Sequence, residues 1–276
     1  RCKGMSAAGT QWGDLAPRVL SAIAMLVIGA IAVWAGGFWI HFLVSVACGL
    51  MVWELVRMLQ SRDSQKSMWL ALISGAALFI ASYAPYPTVI LPMLLAPSFV
   101  GFSMLSSGQR PIVGRRILMS YTALILIAGF GLIALRDDFG ITWMAWLLIV
   151  VIVTDVAGYF AGRILGGPKF WPAVSPKKTW SGTIAGWIGA AIVGLIFAKL
   201  YGGGTLVVLV SVAAAFASQL GDITESAIKR HVGVKDSSNL IPGHGGLLDR
   251  FDGMLGAGLL LIFVELAFNF PPNAAG

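Results

Sequence analysis

The longest polar interval in this chain, residues 226–252, reads SAIKRHVGVKDSSNLIPGHGGLLDRFD. It gathers Lys229, Arg230, Lys235, Asp236, His244, Asp249, Arg250 and Asp252 around a glycine-rich turn, Pro242-Gly243-His244-Gly245-Gly246. Gly245 and Gly246 allow the backbone of that turn to come close to a ligand. Asp249 and Asp252, three residues apart, share one face of a helix. Just upstream, Asp222, Glu225 and Lys229 fall along one helical stripe, with Glu225 and Lys229 able to pair. Carboxylates of this kind suit Mg²⁺, which binds through one or two of them plus phosphate and water oxygens. A second group, Ser175-Pro176-Lys177-Lys178-Thr179, precedes an apolar run. Its two ammonium groups and the free N–H groups of a helix start make an anion site suited to phosphate. Pro176 stiffens the approach, and Thr179 is placed to cap a helix beginning near Trp180. A third feature is Asp155, in the middle of an apolar run and followed by Ala157, Gly158, Ala161 and Gly162. A carboxylate at that depth is a functional candidate by default, and the small residues let another helix approach closely. Each feature also has a plainer reading: an ion pair that holds helices, lysines that follow membrane topology, or a helix cap.

These groups must be held by helices in a membrane. Of 276 residues, 58% are apolar and only 11% are charged, against roughly 25% charged in soluble domains. The predicted fold is all-α: a polytopic integral membrane protein of about nine transmembrane helices, over 18–36, 38–58, 68–84, 86–105, 117–135, 140–165, 181–200, 203–221 and 252–270. Pro87, Pro92 and Pro97 are expected to kink the fourth. The chain reads as one membrane-embedded catalytic domain over 1–276, with its motifs in 150–255. All but Arg136 and Lys199 of the 19 lysines and arginines fall on one side of a nine-span arrangement. Positive-inside logic then makes the N-terminus cytoplasmic and the C-terminus external. The same logic accounts for the net charge of +7, so no nucleic acid is expected as a partner. Cys2 and Cys48 suggest neither a disulfide nor a zinc site. Met5 is read as the start of the protein, with residues 1–4 upstream of it and no cleavable signal peptide. His41 is read as an interfacial residue without polar companions, and His231 as solvated.

The interval 226–252 resembles the signature of the phosphatidate cytidylyltransferases, the CDP-diacylglycerol synthases. The pattern Ser-x-apolar-Lys-Arg, four residues, Lys-Asp, then His-Gly-Gly-x-x-Asp-Arg-x-Asp is matched without a gap by Ser226 to Asp252. A closely similar Ser-Pro-Lys-Lys-Thr motif occurs in that family, which usually carries Glu two residues after the Thr, where this chain has Ser181. The resemblance covers about 155–252; the N-terminal spans match only in hydropathy. It implies transfer of a cytidylyl group from CTP to phosphatidic acid at the cytoplasmic face of a bacterial inner membrane, in phospholipid biosynthesis.

The resemblance also implies roles for residues. Asp222, Asp249, Lys235, Asp236, His244 and Arg250 would be catalytic. Ser175, Lys177, Lys178, Thr179, Lys229, Arg230, Gly245 and Gly246 would bind substrate. Asp222 and Asp249, with Asp155 and Asp252, would hold Mg²⁺; Asp252 would also orient Arg250. If the polar interval folds back across the membrane surface, Asp222 and Asp249 become neighbours and a divalent cation relieves their repulsion. The partners are then CTP, phosphatidic acid and membrane lipid; the oligomeric state is left open, with a homodimer among the assemblies considered. Two other readings stay open on the residues alone: a CDP-alcohol phosphotransferase, whose aspartates are spaced differently, and a transporter of anionic solutes.

Overall fold

Lipid offers backbone amides no hydrogen-bonding partner, so a chain this apolar satisfies them within helices. The computed structural model describes residues 15–59, 64–104 and 111–271; Cys2, Met5 and the start of the chain lie outside the described residues. The helices are α1 (Leu15–Ala35), α2 (Gly37–Leu59), α3 (Ser64–Ala81), α4 (Pro87–Met104), α5 (Pro111–Ile164), α6 (Trp180–Tyr201), α7 (Gly204–Val232) and α8 (Leu248–Phe268). Seven of them are long and apolar enough to cross a membrane, by length and composition; the apolar part of α3, Gln65–Ala81, is shorter. The protein is therefore an integral membrane protein.

Helix α5 has 54 residues, about 80 Å at a rise of ~1.5 Å per residue, far beyond a hydrocarbon core of about 30 Å. It breaks at Gly140, whose φ of 80° and ψ of −176° are non-helical. A conformation of that sign is open to glycine and strained for other residues. Pro92 and Pro97 lie inside α4, which nevertheless continues from Pro87 to Met104. Helix α7 runs past the predicted end at residue 221 to Val232, where Gly233 (φ 80°) closes it. The apolar run ends at Gly221 while the helix goes on, as the helical stripe of Asp222, Glu225 and Lys229 requires.

The outer faces carry large apolar side chains, among them Leu20, Trp34, Phe99, Ile188 and Leu266, as a lipid-facing surface requires. Inside, one packed cluster centres on Leu55, Leu78 and Ile125, and a second on Trp146, Val150 and Ala214. The indole N–H of fully buried Trp146 donates to Ser211 Oγ at 2.9 Å. Small residues set the helix spacing. Gly158 meets Gly182 between α5 and α6, and Gly221 and Gly256 meet Asp252 and Ala217 between α7 and α8. Without a side chain at these points the backbones approach closely, as membrane helix pairs favour.

Two features depart from the sequence reading. The segment before α6 is an antiparallel hairpin, β1 (Lys169–Trp171) with β2 (Ser175–Thr179), pairing Lys169 with Thr179 and Trp171 with Ser175. Strands this short carry no periodic signal against the surrounding helices. His41 also has polar companions: its Nδ1 lies 2.7 Å from Ser82 Oγ and its Nε2 2.6 Å from Asp137 Oδ2. Those partners are 41 and 96 residues away in the chain, so nothing local announces them.

The α7–α8 crossing is the contact that function depends on. In Gly256→Ala the new Cβ would overlap the carbonyl oxygen of Ala217, a backbone atom that cannot turn aside. We expect a loss of about 1–3 kcal/mol or more from such overpacking, read as a lower unfolding temperature in detergent. A variant as stable as the parent would show that the two helices are not packed this tightly.

Candidate active site

The antiparallel crossing of α7 and α8 places Asp252 beside Gly221, where any side chain would run into the Asp252 carbonyl oxygen. Asp222, the next residue, is thereby brought close to Asp252, and Asp252 feels the charges of Asp222, Asp155 and Lys229. Asp155, from the second half of α5, senses Asp222 and Lys178 in turn. Three carboxylates from three helices therefore face one region. The hairpin supplies its cation: Lys178 Nζ lies 2.5 Å from Asp222 Oδ2 and 3.5 Å from the carbonyl oxygen of Gln219. Ser226 Oγ donates to the other oxygen of Asp222 at 3.2 Å. Gln219 is fixed against α6, accepting from Trp187 Nε1 and donating to Thr183 O.

Thr179 caps α6 as predicted, its Oγ1 accepting from Gly182 N at 3.2 Å. Ser181, at the position where relatives of the resembled family usually carry Glu, bonds Thr179 Oγ1 and the carbonyl oxygen of Gly166. Its hydroxyl thus ties the hairpin to the start of α6. Lys177, one residue from Lys178 on an alternating strand, is exposed, and Ser175 is half-buried.

An adjoining constellation surrounds Asp249. Lys229 bridges Glu225 Oε2 at 2.5 Å and Asp249 Oδ1 at 2.7 Å. Asp249 Oδ2 accepts from Ser237 N, Ser237 Oγ and Gly246 N at 2.8–2.9 Å. Asp222 and Asp249 are thus linked through Glu225, Lys229 and Asp252. Asp249 meets a cation only by exchanging donors it already holds. The turn 241–245 is closed by Ile241 N to Gly245 O at 2.8 Å, with Gly243 and Gly245 at φ 75° and 86°. Arg250 grips this turn through Nε and Nη2, both donating to His244 O at 2.9 and 2.6 Å. The carbonyl of His244, not Asp252, orients Arg250. His244 Nδ1 lies 2.8 Å from Ser21 Oγ on α1. Arg230, Lys235, Asp236 and His231 are exposed.

Two groups were missed from the sequence. Glu54 on α2 is fully buried and accepts four hydrogen bonds: Ser238 Oγ at 2.5 Å, Leu247 N at 2.8 Å, Leu248 N at 2.7 Å and Ser237 Oγ at 3.3 Å. Two of those donors are the open N–H groups of the α8 N-terminus, where a carboxylate is favoured. A charged residue late in an apolar run was the available signal. Tyr121, buried on α5, lies within reach of the charges of Glu225, Asp252 and Asp222; an aromatic in an apolar span gave no signal.

Among the described residues no three His, Cys, Asp or Glu side chains form a cation cage by themselves. That still fits Mg²⁺, which keeps water and takes substrate phosphate as ligands. Asp155, which makes no hydrogen bond among the described residues, and the lightly engaged Asp222 and Asp252 are the hard oxygen donors such an ion would use.

Apolar, membrane-length helices that gather carboxylates and lysines at one place make a membrane protein with a site for charged groups. More closely, residues 16–268 match the cytidylyltransferase family, and the chain belongs to it. It is 35% identical over 270 residues to a phosphatidate cytidylyltransferase of Brucella suis biovar 1, covering 94% of this chain and 96% of that one. A phosphatidate cytidylyltransferase of Helicobacter pylori strain J99 is 31% identical over 259 residues, 90% and 92% of the two chains. That of Bacillus subtilis strain 168 is 40% identical over 136 residues, 48% and 51% of the two.

The two constellations should respond differently to substitution. Glu54→Ala strands four donors, two of them fully buried, and Asp249→Asn weakens a four-bond site; each should cost about 2–4 kcal/mol of stability. Asp222→Asn, at a half-exposed pair, should leave the unfolding temperature within a few degrees of the parent while turnover is lost. Equal stability in all three, measured by thermal unfolding in detergent, would contradict this division.

Proposed function

We propose that the site transfers the cytidylyl group of CTP to phosphatidic acid, releasing pyrophosphate and leaving CDP-diacylglycerol in the membrane. The observation that carries this reading is the ion pair of Lys178 with Asp222. It joins an anion-binding hairpin and helix start to the carboxylates of α7 and α8. The names of the relatives, over most of their length, support the same substrates.

A phosphate oxygen of the lipid attacks the α phosphorus of CTP, and the bond to the bridging oxygen of the pyrophosphate breaks. The lipid phosphate is already an anion at neutral pH, so no strong general base is needed. The barrier lies in bringing anions together and in the charge that develops on pyrophosphate. Lys178, Lys177 and the N–H groups opening α6 hold nucleotide phosphates. Lys229 and Arg250 add positive charge and keep the 241–246 turn in place beside them. Mg²⁺ held by Asp222, with Asp252 and Asp155, would supply Lewis-acid stabilisation of phosphoryl oxygens. Chelation should therefore abolish turnover, and added Mg²⁺ should restore it.

Nine crossings, with α5 folded at Gly140 into two, put the hairpin and the 233–247 loop on the side that carries nearly all basic residues. The N-terminus and site are then cytoplasmic, in the inner membrane of a bacterium, and the chain acts as one catalytic domain, assembled as a homodimer. A C-terminal reporter should be active outside and silent in the cytoplasm; the reverse would overturn this orientation.

The direct test is release of pyrophosphate from CTP by purified protein with and without phosphatidic acid. Release only with the lipid is expected, and CTP turnover independent of it would contradict the proposal. Lys178→Ala should lower kcat/KM for CTP about tenfold or more, the scale of one charge-assisted hydrogen bond. Lys178→Arg should restore only part. Unchanged CTP kinetics in Lys178→Ala would remove this residue from the nucleotide site.

A further inference from the structure

Helix α1 meets the rest of the bundle through polar groups at its two ends. At the far end Arg136 Nε and Nη2 donate to the carbonyl oxygens of Val33 and Trp34 at 2.6 and 3.3 Å. At the near end α1 seats on the turn of the candidate site. A side chain at Gly243 would run into Arg18 Cγ, and Ser21 Oγ lies 3.1 Å from Pro242 O and 2.8 Å from His244 Nδ1. The turn adjoins Asp249, since a Cβ at Gly245 would come within 3.0 Å of its Oδ2. The Ser21 hydroxyl has one hydrogen and a third neighbour, Arg18 O at 3.0 Å. Both carbonyl oxygens can only accept. Given to either of them, the hydrogen leaves Oγ free to accept from Nδ1–H, and two hydrogen bonds form. Given to Nδ1, it makes one. The neutral His244 ring therefore keeps its proton on Nδ1. Its Nε2, which bonds no group among the described residues, is the nitrogen left for a ligand.

We infer that Ser21 is a positioning residue for the transfer: it holds the His244 ring by Nδ1–H, so that Nε2 is the atom that meets substrate phosphate. The inference rests on the function proposed above. A lipid phosphate that still keeps one proton gives it to Nε2 as its oxygen bonds to the α phosphorus of CTP. Pyrophosphate leaves with the electron pair of the broken bond, and the imidazolium later returns its proton to solvent. A ring held at one nitrogen offers the other in a fixed direction and tautomer, whereas a free ring would offer either. The plainer role of Ser21 is a tie between α1 and the turn. Arg18 against Gly243 and Arg136 at the far end keep α1 seated without that hydroxyl, so removing it tests the aim of the ring.

The test compares Ser21→Ala and Ser21→Thr with the unaltered protein. Pyrophosphate release from CTP with phosphatidic acid gives kcat and KM. NMR of protein carrying isotope-labelled histidine, at alkaline pH where imidazole is neutral, gives the ring tautomers. We expect Ser21→Ala to lower kcat about tenfold, the scale of one hydrogen bond, with KM for CTP changed less than about twofold. Ser21→Thr keeps the hydroxyl and should recover most of the rate. In the unaltered protein the ring whose signals His244→Gln removes should carry its proton on Nδ1. In Ser21→Ala that ring should report a mixture of tautomers. An unchanged kcat in Ser21→Ala, a loss that Ser21→Thr does not recover, or a lowered kcat with the His244 ring unchanged would overturn the inference. A His244 ring protonated on Nε2 in the unaltered protein would overturn it without any variant. If the unaltered protein releases no pyrophosphate, the proposed function itself fails. The ring signal, read without turnover, then still shows whether Ser21 holds His244.

Discussion

A carboxylate inside an apolar bundle must be met by donors, and this constraint organises the structure. Glu54, fully buried on α2, holds the first N–H groups of α8 and both serines of the preceding loop. Asp249 holds the other side of that loop, and Lys229 ties it back to Glu225 on α7. An isolated buried charge is costly, but one that collects several donors is held in a single geometry. The start of α8 is thereby fixed in direction and register. Asp252, one turn further along α8, inherits that placement.

The second constraint is close helix approach. Glycines at the α5–α6 and α7–α8 crossings let three carboxylates from three helices face one region without long side chains to bridge the gap. Lys178 enters from a hairpin rather than a helix, so the cation can lie at the edge of the bundle. A reaction between a soluble nucleotide and a membrane lipid suits that position.

Much of this was legible in the residues themselves. Apolar runs found every helix, because membrane-length runs have few alternatives. The capping of α6 by Thr179 and the pairing of Glu225 with Lys229 are local, spaced contacts, and local spacing predicted both. The grouping of Asp155 with Asp222 and Asp252 was signalled only by each being a polar residue in or beside an apolar run. What was illegible is long-range. The donors to Glu54 are 183 to 194 residues away, and the partners of His41 lie just past α3 and on α5. The continuation of α7 past the apolar run was legible too, in the helical stripe of Asp222, Glu225 and Lys229.

In the proposed reaction the groups joined by Lys178 and Asp222 move a cytidylyl group onto a membrane lipid. Purified protein given phosphatidic acid and CTP labelled at its α phosphorus tests this most directly. We expect label in the lipid fraction, while CTP labelled at its γ phosphorus should yield labelled pyrophosphate and unlabelled lipid. Label from the γ phosphorus in lipid, or none in lipid from either, would contradict it.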